Sequence, residues 1–359
     1  MAQKILLINP FGIGDVLFTT SVIKAIKENN PENFLGFWCN ERVKPILENN
    51  PYIDKIFALS RGDLKKIFKK SKFKGIKSFL KLFFAIKKED FDIVVDFSLD
   101  HRYGLFSKLA GIKKRVGFDY KNRGRFLTEK IKIDSYKDKH IVEYYLDILR
   151  FLDIPRPTNP NLNLFISPED KIWADNFLRQ HNIKENDLLI GIAPCGGASW
   201  GKNAYYLRWP EEKFVDLSKV LIRELGAKII LFGTSDEAEI CKKIEIFLKS
   251  DIINTAGKLT LGQFTALFKR CSIGICNDAG PLHIAVALGL KTICICGPVD
   301  EKVYGPYPEN KNYIVIKKDL PCRPCYKSFK VSECKYDLNC LKGISVEEVY
   351  LAVKSLLKG

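Results

Sequence analysis

The sequence predicts an α/β protein of two domains, each a mostly parallel sheet covered by helices on both faces. Three observations carry this. Short, fully apolar runs alternate with stretches of helical pattern. The alternation stops in a Pro- and Asn-rich stretch and then begins again. At 359 residues the chain also exceeds what a single hydrophobic core usually serves.

In the first half, residues 4–9, 34–39, 53–59 and 91–97 read as strands, and 15–27 and 42–48 as helices. The run Phe91-Asp92-Ile93-Val94-Val95-Asp96-Phe97 has the continuous apolar centre of a strand buried on both sides. Residues 153–170, with Pro155, Pro157, Pro160, Pro168 and three asparagines, read as a linker. Beyond it, strands are expected at 188–193, 228–232, 273–276 and 292–296. Helices are expected at 214–225, 237–247, 281–288 and 346–357. The boundaries drawn are a first domain over 1–160, a second over 161–343, and a last helix over 344–359 that can pack back on the first domain. Two similar halves joined by a hinge imply a ligand-binding cleft.

Composition excludes several classes. Hydrophobic residues make up 46% and charged residues 28%, which suits a globular core. No stretch approaches the roughly 20 apolar residues of a membrane helix, and the run Ile5-Leu6-Leu7-Ile8 is too short for a signal peptide. A cytosolic monomer is therefore expected. The net charge is +16, and residues 61–90 hold half of that excess, with eleven Lys or Arg against three acids. Phe68, Phe73, Ile76, Phe79, Leu80, Phe83 and Phe84 recur among them at roughly helical spacing. Such a segment either meets an anionic membrane or acceptor, or is a solvated basic helix face. No nucleic-acid module is recognisable, so nucleic acid is not an expected partner.

Two motifs carry chemistry. The first strand runs into Pro10-Phe11-Gly12-Ile13-Gly14-Asp15 and a helix. Its glycines allow a tight turn at a helix N-terminus, but the third glycine of a dinucleotide fingerprint is replaced by Leu17. A phosphate beside Asp15 would be repelled, so the loop suits an acceptor hydroxyl and a carboxylate base; Asp15 as a plain helix cap is the alternative. In the second, a strand ends in Asn277-Asp278-Ala279-Gly280-Pro281, and the helix that follows is closed by Gly289. Free N–H groups from Ala279 onward suit a diphosphate. Asp278 suits sugar hydroxyls, and His283, one turn in, is either part of this site or a core histidine.

These residues resemble the lipopolysaccharide heptosyltransferase family, glycosyltransferase family nine. The resemblance lies in Gly12-Ile13-Gly14-Asp15-Val16-Leu17, in Asn277-Asp278-Ala279-Gly280-Pro281-Leu282-His283, and in Gly297-Pro298-Val299-Asp300. Arg115-Val116-Gly117-Phe118 and His140-Ile141-Val142-Glu143 resemble its middle segments. It implies a GT-B fold, two Rossmann-like domains facing across the active site, with the acceptor on the first and a nucleotide-diphospho-sugar on the second. It also implies inverting transfer of a sugar, a heptose, from an ADP-sugar to an anionic lipid-linked glycan at the inner membrane face, with no metal required. Asp15 matches the general base, and Gly12, Gly14 and Arg102 fall to the acceptor. Asp278, Ala279, Gly280 and His283 match the donor turn, and Glu237 the acid that holds the ribose. The family's Lys two residues before Trp-Pro is Leu207 here. Lys202, or else Arg208, must then supply the positive charge; Lys202 is preferred because its loop follows a strand of the second domain. A nucleotide-sugar epimerase of similar architecture, or a non-catalytic nucleotide-sugar-binding protein, are the alternative readings.

Eleven cysteines in such a chain do not point to a disulfide framework. Cys271, Cys276, Cys294 and Cys296 read as small buried apolar residues. Cys322, Cys325, Cys334 and Cys340 have the count of a structural zinc site, with reduced thiols as the alternative.

Overall fold

The computed structural model describes residues 2–248 and 252–358. The chain divides into two compact units, 1–165 and 166–359. The first is built on six strands: β1 (Lys4–Ile8), β2 (Phe34–Cys39), β3 (Lys55–Ala58), β4 (Ile93–Asp96), β5 (Lys114–Tyr120) and β6 (Glu129–Ile133). All pair in parallel, in the order β3-β2-β1-β4-β5-β6. Helices cover both faces, so β4 is buried at every residue and β1 at all but its first, and each reads as an unbroken apolar run. On β2, a Cβ at Gly36 would lie 2.5 Å from the Phe91 ring, so that ring packs flat against bare backbone.

The basic segment forms two helices, Arg61–Lys70 and Lys72–Glu89, broken at Ser71. Ser71 is extended (φ −163°) and its hydroxyl caps the second helix at Lys74 N–H. Leu82 and Ile86 of that helix reach the core beside Phe91, Tyr103 and Phe106.

The second unit repeats the plan with β7 (Leu189–Ala193), β8 (Lys228–Leu231), β9 (Ile252–Asn254), β10 (Ile273–Asn277), β11 (Thr292–Ile295) and β12 (Tyr313–Ile316). These too are all parallel, in the order β12-β11-β10-β7-β8-β9. The helix Val346–Lys358 packs on the helix Glu211–Leu225 of the same unit, burying Val349, Val353 and Leu356 in its core. Residues 168–180, placed partly in a linker by their prolines, form a helix: Ser167 caps it and Pro168 occupies the first turn, where a missing N–H costs nothing. Among the described residues no helix is long and apolar enough to cross a membrane.

In each sheet the strand order reverses once, between β1 and β4 and between β10 and β7. Loops leaving the carboxyl ends of strands at such a point flank a crevice, which is where ligands bind in open parallel sheets. Both motif loops leave the sheet there.

Candidate active site

In the first unit β1 ends at Ile8, in register with Asp96 at the end of β4. Asn9 then organises the loop: its side-chain Nδ2 donates to the Asp15 carbonyl at 2.9 Å, and its side-chain Oδ1 accepts from Phe11 N–H at 3.2 Å. The helix Ile13–Asn29 begins after Gly12, whose N–H donates to Asp15 Oδ2 at 3.2 Å. Asp15 is therefore a cap, but with one oxygen only; Oδ1 has no hydrogen-bond partner among the described residues. Burial pushes its carboxyl up to about 6, against the lowering effect of the backbone hydrogen bonds. A carboxylate in that range is ionised at neutral pH yet basic enough to take a proton.

Two neighbours of this site carry no local sequence signal. Asp96 is buried, accepts from Ser98 N–H at 2.8 Å and is pushed up to about 6 by desolvation. Tyr136 is buried against Phe118, Tyr144 and Tyr145, and the nearby Asp15 charge helps hold its phenol well above its usual value, behind desolvation. Arg102, in the first turn of the helix His101–Leu109, is half-exposed and paired with Asp100 at 2.9 Å.

In the second unit Asn277, the last residue of β10, bridges both sides of the switch point. Its amide donates to the Pro194 carbonyl at 2.7 Å and to that of Cys195 at 3.1 Å, and its oxygen accepts from Trp209 N–H at 3.0 Å. The loop after β7 thus lies against the start of the helix Gly280–Ala287. Gly196 (φ 116°) is so close to Ala279 that no side chain fits between them. Gly196 N–H donates to Glu237 Oε1 at 2.7 Å, while Glu237 Oε2 accepts from the Thr234 N–H and hydroxyl, each at 2.9 Å. Arg208 completes the bracket: Nε and Nη2 each lie 3.3 Å from the Gly196 carbonyl, and Nη2 lies 3.7 Å from Glu237 Oε1. Lys202 is instead exposed beside Gly201 (φ 58°), with no polar partner among the described residues. The structure brings Arg208, and not Lys202, to Glu237.

Asp278 is buried, and desolvation pushes its carboxyl up to about 7, opposed by the charge of Arg323. Arg323 was not singled out in the sequence because it sits inside the cysteine segment. Its guanidinium donates to the carbonyls of Gly297 (2.5 Å), Val299 (3.0 Å) and Lys318 (3.2 Å) and pairs with Glu301 at 3.2 Å. It so holds the loop after β11 beside Asp278. His283 is buried in the helix one turn past Gly280.

The four cysteines lie near one another, since Cys325, Cys334 and Cys322 all help to raise the Cys340 thiol, behind its burial. A zinc site needs four sulfurs around one point at about 2.3 Å, and among the described residues no three such side chains are gathered to hold a metal ion. Cys325 Sγ turns to the Cys322 carbonyl at 2.9 Å, and Cys334 Sγ accepts from Leu338 N–H at 3.3 Å. Cys340 is buried, which pushes its thiol up to about 11. The segment around them forms a small hairpin, Tyr326–Lys327 with Lys330–Val331, and hydrogen bonds through Cys325 N–H to the Pro298 carbonyl at 2.8 Å.

Residues 79–336 match the family described as glycosyltransferase family 9 (heptosyltransferase), a match that begins after the Asp15 loop. Lipopolysaccharide heptosyltransferase 2 of Escherichia coli is 26% identical over 310 residues, covering 82% of this chain and 83% of that one. The structure of a family 9 glycosyl transferase from Veillonella parvula has the same fold, with a TM-score of 0.84 at 23% identity over 99% of this chain and 98% of that one. An E. coli heptosyltransferase solved with ADP also shares the fold (TM-score 0.74, 18% identity, 98% and 99% covered). With two six-stranded parallel sheets the architecture is GT-B. The chain belongs to glycosyltransferase family 9, the heptosyltransferase family, and is a glycosyltransferase.

Proposed function

We propose that this enzyme transfers a heptose from ADP-heptose, with inversion, to a lipid-linked core glycan at the inner face of the cytoplasmic membrane. The observation that carries this reading is Asp15: a half-buried carboxylate with one oxygen uncommitted and its pKa raised to about 6. ADP as the nucleotide is supported by the related heptosyltransferase solved with it.

In this reading Asp15 takes the proton of the acceptor hydroxyl as its oxygen attacks the anomeric carbon. The bond from that carbon to the diphosphate breaks on the opposite face, and ADP leaves with the bonding pair. The second unit meets the developing charge with Arg208 and with the Gly280 N–H at the start of the helix Gly280–Ala287. Asp278 takes the sugar hydroxyls and Glu237 the ribose; Gly12, Gly14 and Arg102 line the acceptor side.

The test is ADP release with a panel of nucleotide sugars and a lipid A–core acceptor, with the product anomer read by NMR. ADP-heptose is expected to be the preferred donor and the product to be inverted. Preference for a uridine or guanosine sugar overturns the donor; retained anomeric configuration overturns the single-displacement step.

A further inference from the structure

The helix Lys72–Glu89 has two apolar faces. One is satisfied: Leu82 and Ile86 are buried in the first unit's core, and Gly75 lies flat beneath the Phe68 ring of the preceding helix, 2.5 Å from where its Cβ would be. The other is not. Phe73, Ile76, Leu80 and Phe84 follow one another at intervals of three, four and four residues, which places them in one line along the helix. All four are exposed, Phe73 by 77% and Phe84 by 60%. The helical wheel sets this line opposite Leu82 and Ile86. Around it stand Lys72, Lys74, Lys77, Lys81, Lys87 and Lys88, with Lys65, Lys66, Lys69 and Lys70 on the neighbouring helix. Among the described residues none of these ten lysines has a carboxylate partner.

We infer that this helical hairpin is a membrane-docking element whose Phe73–Ile76–Leu80–Phe84 line enters the headgroup region of an anionic bilayer while the flanking lysines meet its phosphates. A surface helix with a clean apolar stripe and unpaired lysines on its flanks is what lies in a membrane interface. Charge complementarity chooses this occupant. A second copy of the chain would bring ten more lysines against these ten, and a nucleic acid would leave aliphatic Ile76 and Leu80 unburied. The inner face of the unit anchors the helix, so docking needs no refolding. This deepens the proposed function and rests on its lipid-linked acceptor: the hairpin would hold the enzyme where that acceptor is.

The test is co-sedimentation of the full chain with phosphatidylcholine vesicles, with and without phosphatidylglycerol, in the absence of donor and acceptor. Binding is expected only to the anionic vesicles and should weaken with salt. Phe73→Ser with Phe84→Ser should lower it at least about tenfold. Lys77→Ala with Lys81→Ala should lower it about 30-fold, from about 1 kcal/mol per lysine near the surface. All four side chains are exposed, so an unchanged Tm is expected for both variants. Both should keep the wild-type rate on a delipidated, water-soluble acceptor. No binding to anionic vesicles, binding that ignores the phenylalanines, or a concentration-dependent dimer abolished by Phe73→Ser with Phe84→Ser each overturns the docking element. Because these vesicles carry no glycan, failure of docking with transfer intact is distinct from failure of transfer with docking intact.

Discussion

Gly196 and Ala279 lie in the loops that follow the two strands on either side of the second sheet's switch point, and a Cβ on Gly196 would sit 2.4 Å from that of Ala279. This contact fixes how closely the loop after β7 approaches the start of the helix Gly280–Ala287. Gly196→Ala adds a clash to a φ of 116° that a side chain resists. A loss of about 2–4 kcal/mol in urea unfolding and a weaker ADP affinity in calorimetry are expected. Unchanged unfolding would mean that the loop moves freely.

Asp15→Asn keeps the shape and the cap from Gly12 N–H but removes the base. A fall in kcat of at least about 100-fold with little change in donor KM is expected. In the wild type kcat/KM should drop as pH falls through about 6, the raised value of Asp15, since the base works only when ionised. A rate independent of pH between about 5 and 7 would remove Asp15 from that role.

Arg208 and Lys202 separate by geometry. Arg208→Ala should cost about 100-fold in kcat/KM, whereas Lys202→Ala should stay within about threefold. The reverse ranking in steady-state kinetics would show that the exposed loop closes on the donor instead.

Asp278 has a folded pKa of about 7, above its ordinary 3.8. Its protonated form is favoured by folding, a contribution complete below about pH 4 and lost as pH rises through about 7. Asp278→Asn should therefore raise the Tm of the ligand-free protein at pH 8 by at least about 2 °C, and the two curves should converge near pH 4. A higher wild-type Tm at pH 8 would mean the carboxylate has a partner that offsets its burial.

Arg323 binds three carbonyls and Glu301 from a nearly covered position. Arg323→Ala leaves Glu301 with Lys317 alone, unpairs the Gly297 carbonyl and leaves that of Val299 to the Cys296 thiol; about 3 kcal/mol of stability should be lost. The titration of Asp278, followed by NMR, should move further up without the guanidinium charge. No movement would separate the cysteine segment from the donor loop.

Much of the fold was legible because buried parallel strands are apolar throughout. The strand read at 34–39 is β2 residue for residue, and β1, β7, β8, β10 and β11 differ from their expected spans by a residue or so at an end. β5 and β6 were not legible as strands: Lys130 and Lys132 interrupt β6, and in β5 Val116, Phe118 and Tyr120 are separated by Gly117 and Asp119. The break at Ser71 escaped notice because one helical period runs across it; only the capping hydroxyl marks it. The break matters, since it folds ten lysines and the outer apolar line onto one hairpin. The number of cysteines suggests zinc, and the fold does bring Cys322, Cys325 and Cys334 near Cys340, but among the described residues no three are placed to hold a metal ion. The chain turns Cys325 and Cys334 toward neighbouring backbone, while Arg323 of the same segment reaches the Gly297 carbonyl.

By itself the sequence determined the alternation of strand and helix, the two glycine-bearing turns, and the identity of Asp15 and Asp278, because each depends on residues adjacent in the chain. Only the tertiary structure decided the environment of those residues. Asp15 is raised toward neutrality by burial. Arg208 reaches Glu237 across 29 residues, and Arg323 reaches the loop after β11 from 22 to 26 residues away. Those relationships arise when non-adjacent strands pair in parallel, and no local pattern records them. The physical reason is that desolvation and charge pairing depend on three-dimensional distance, whereas propensity and periodicity depend on distance along the chain.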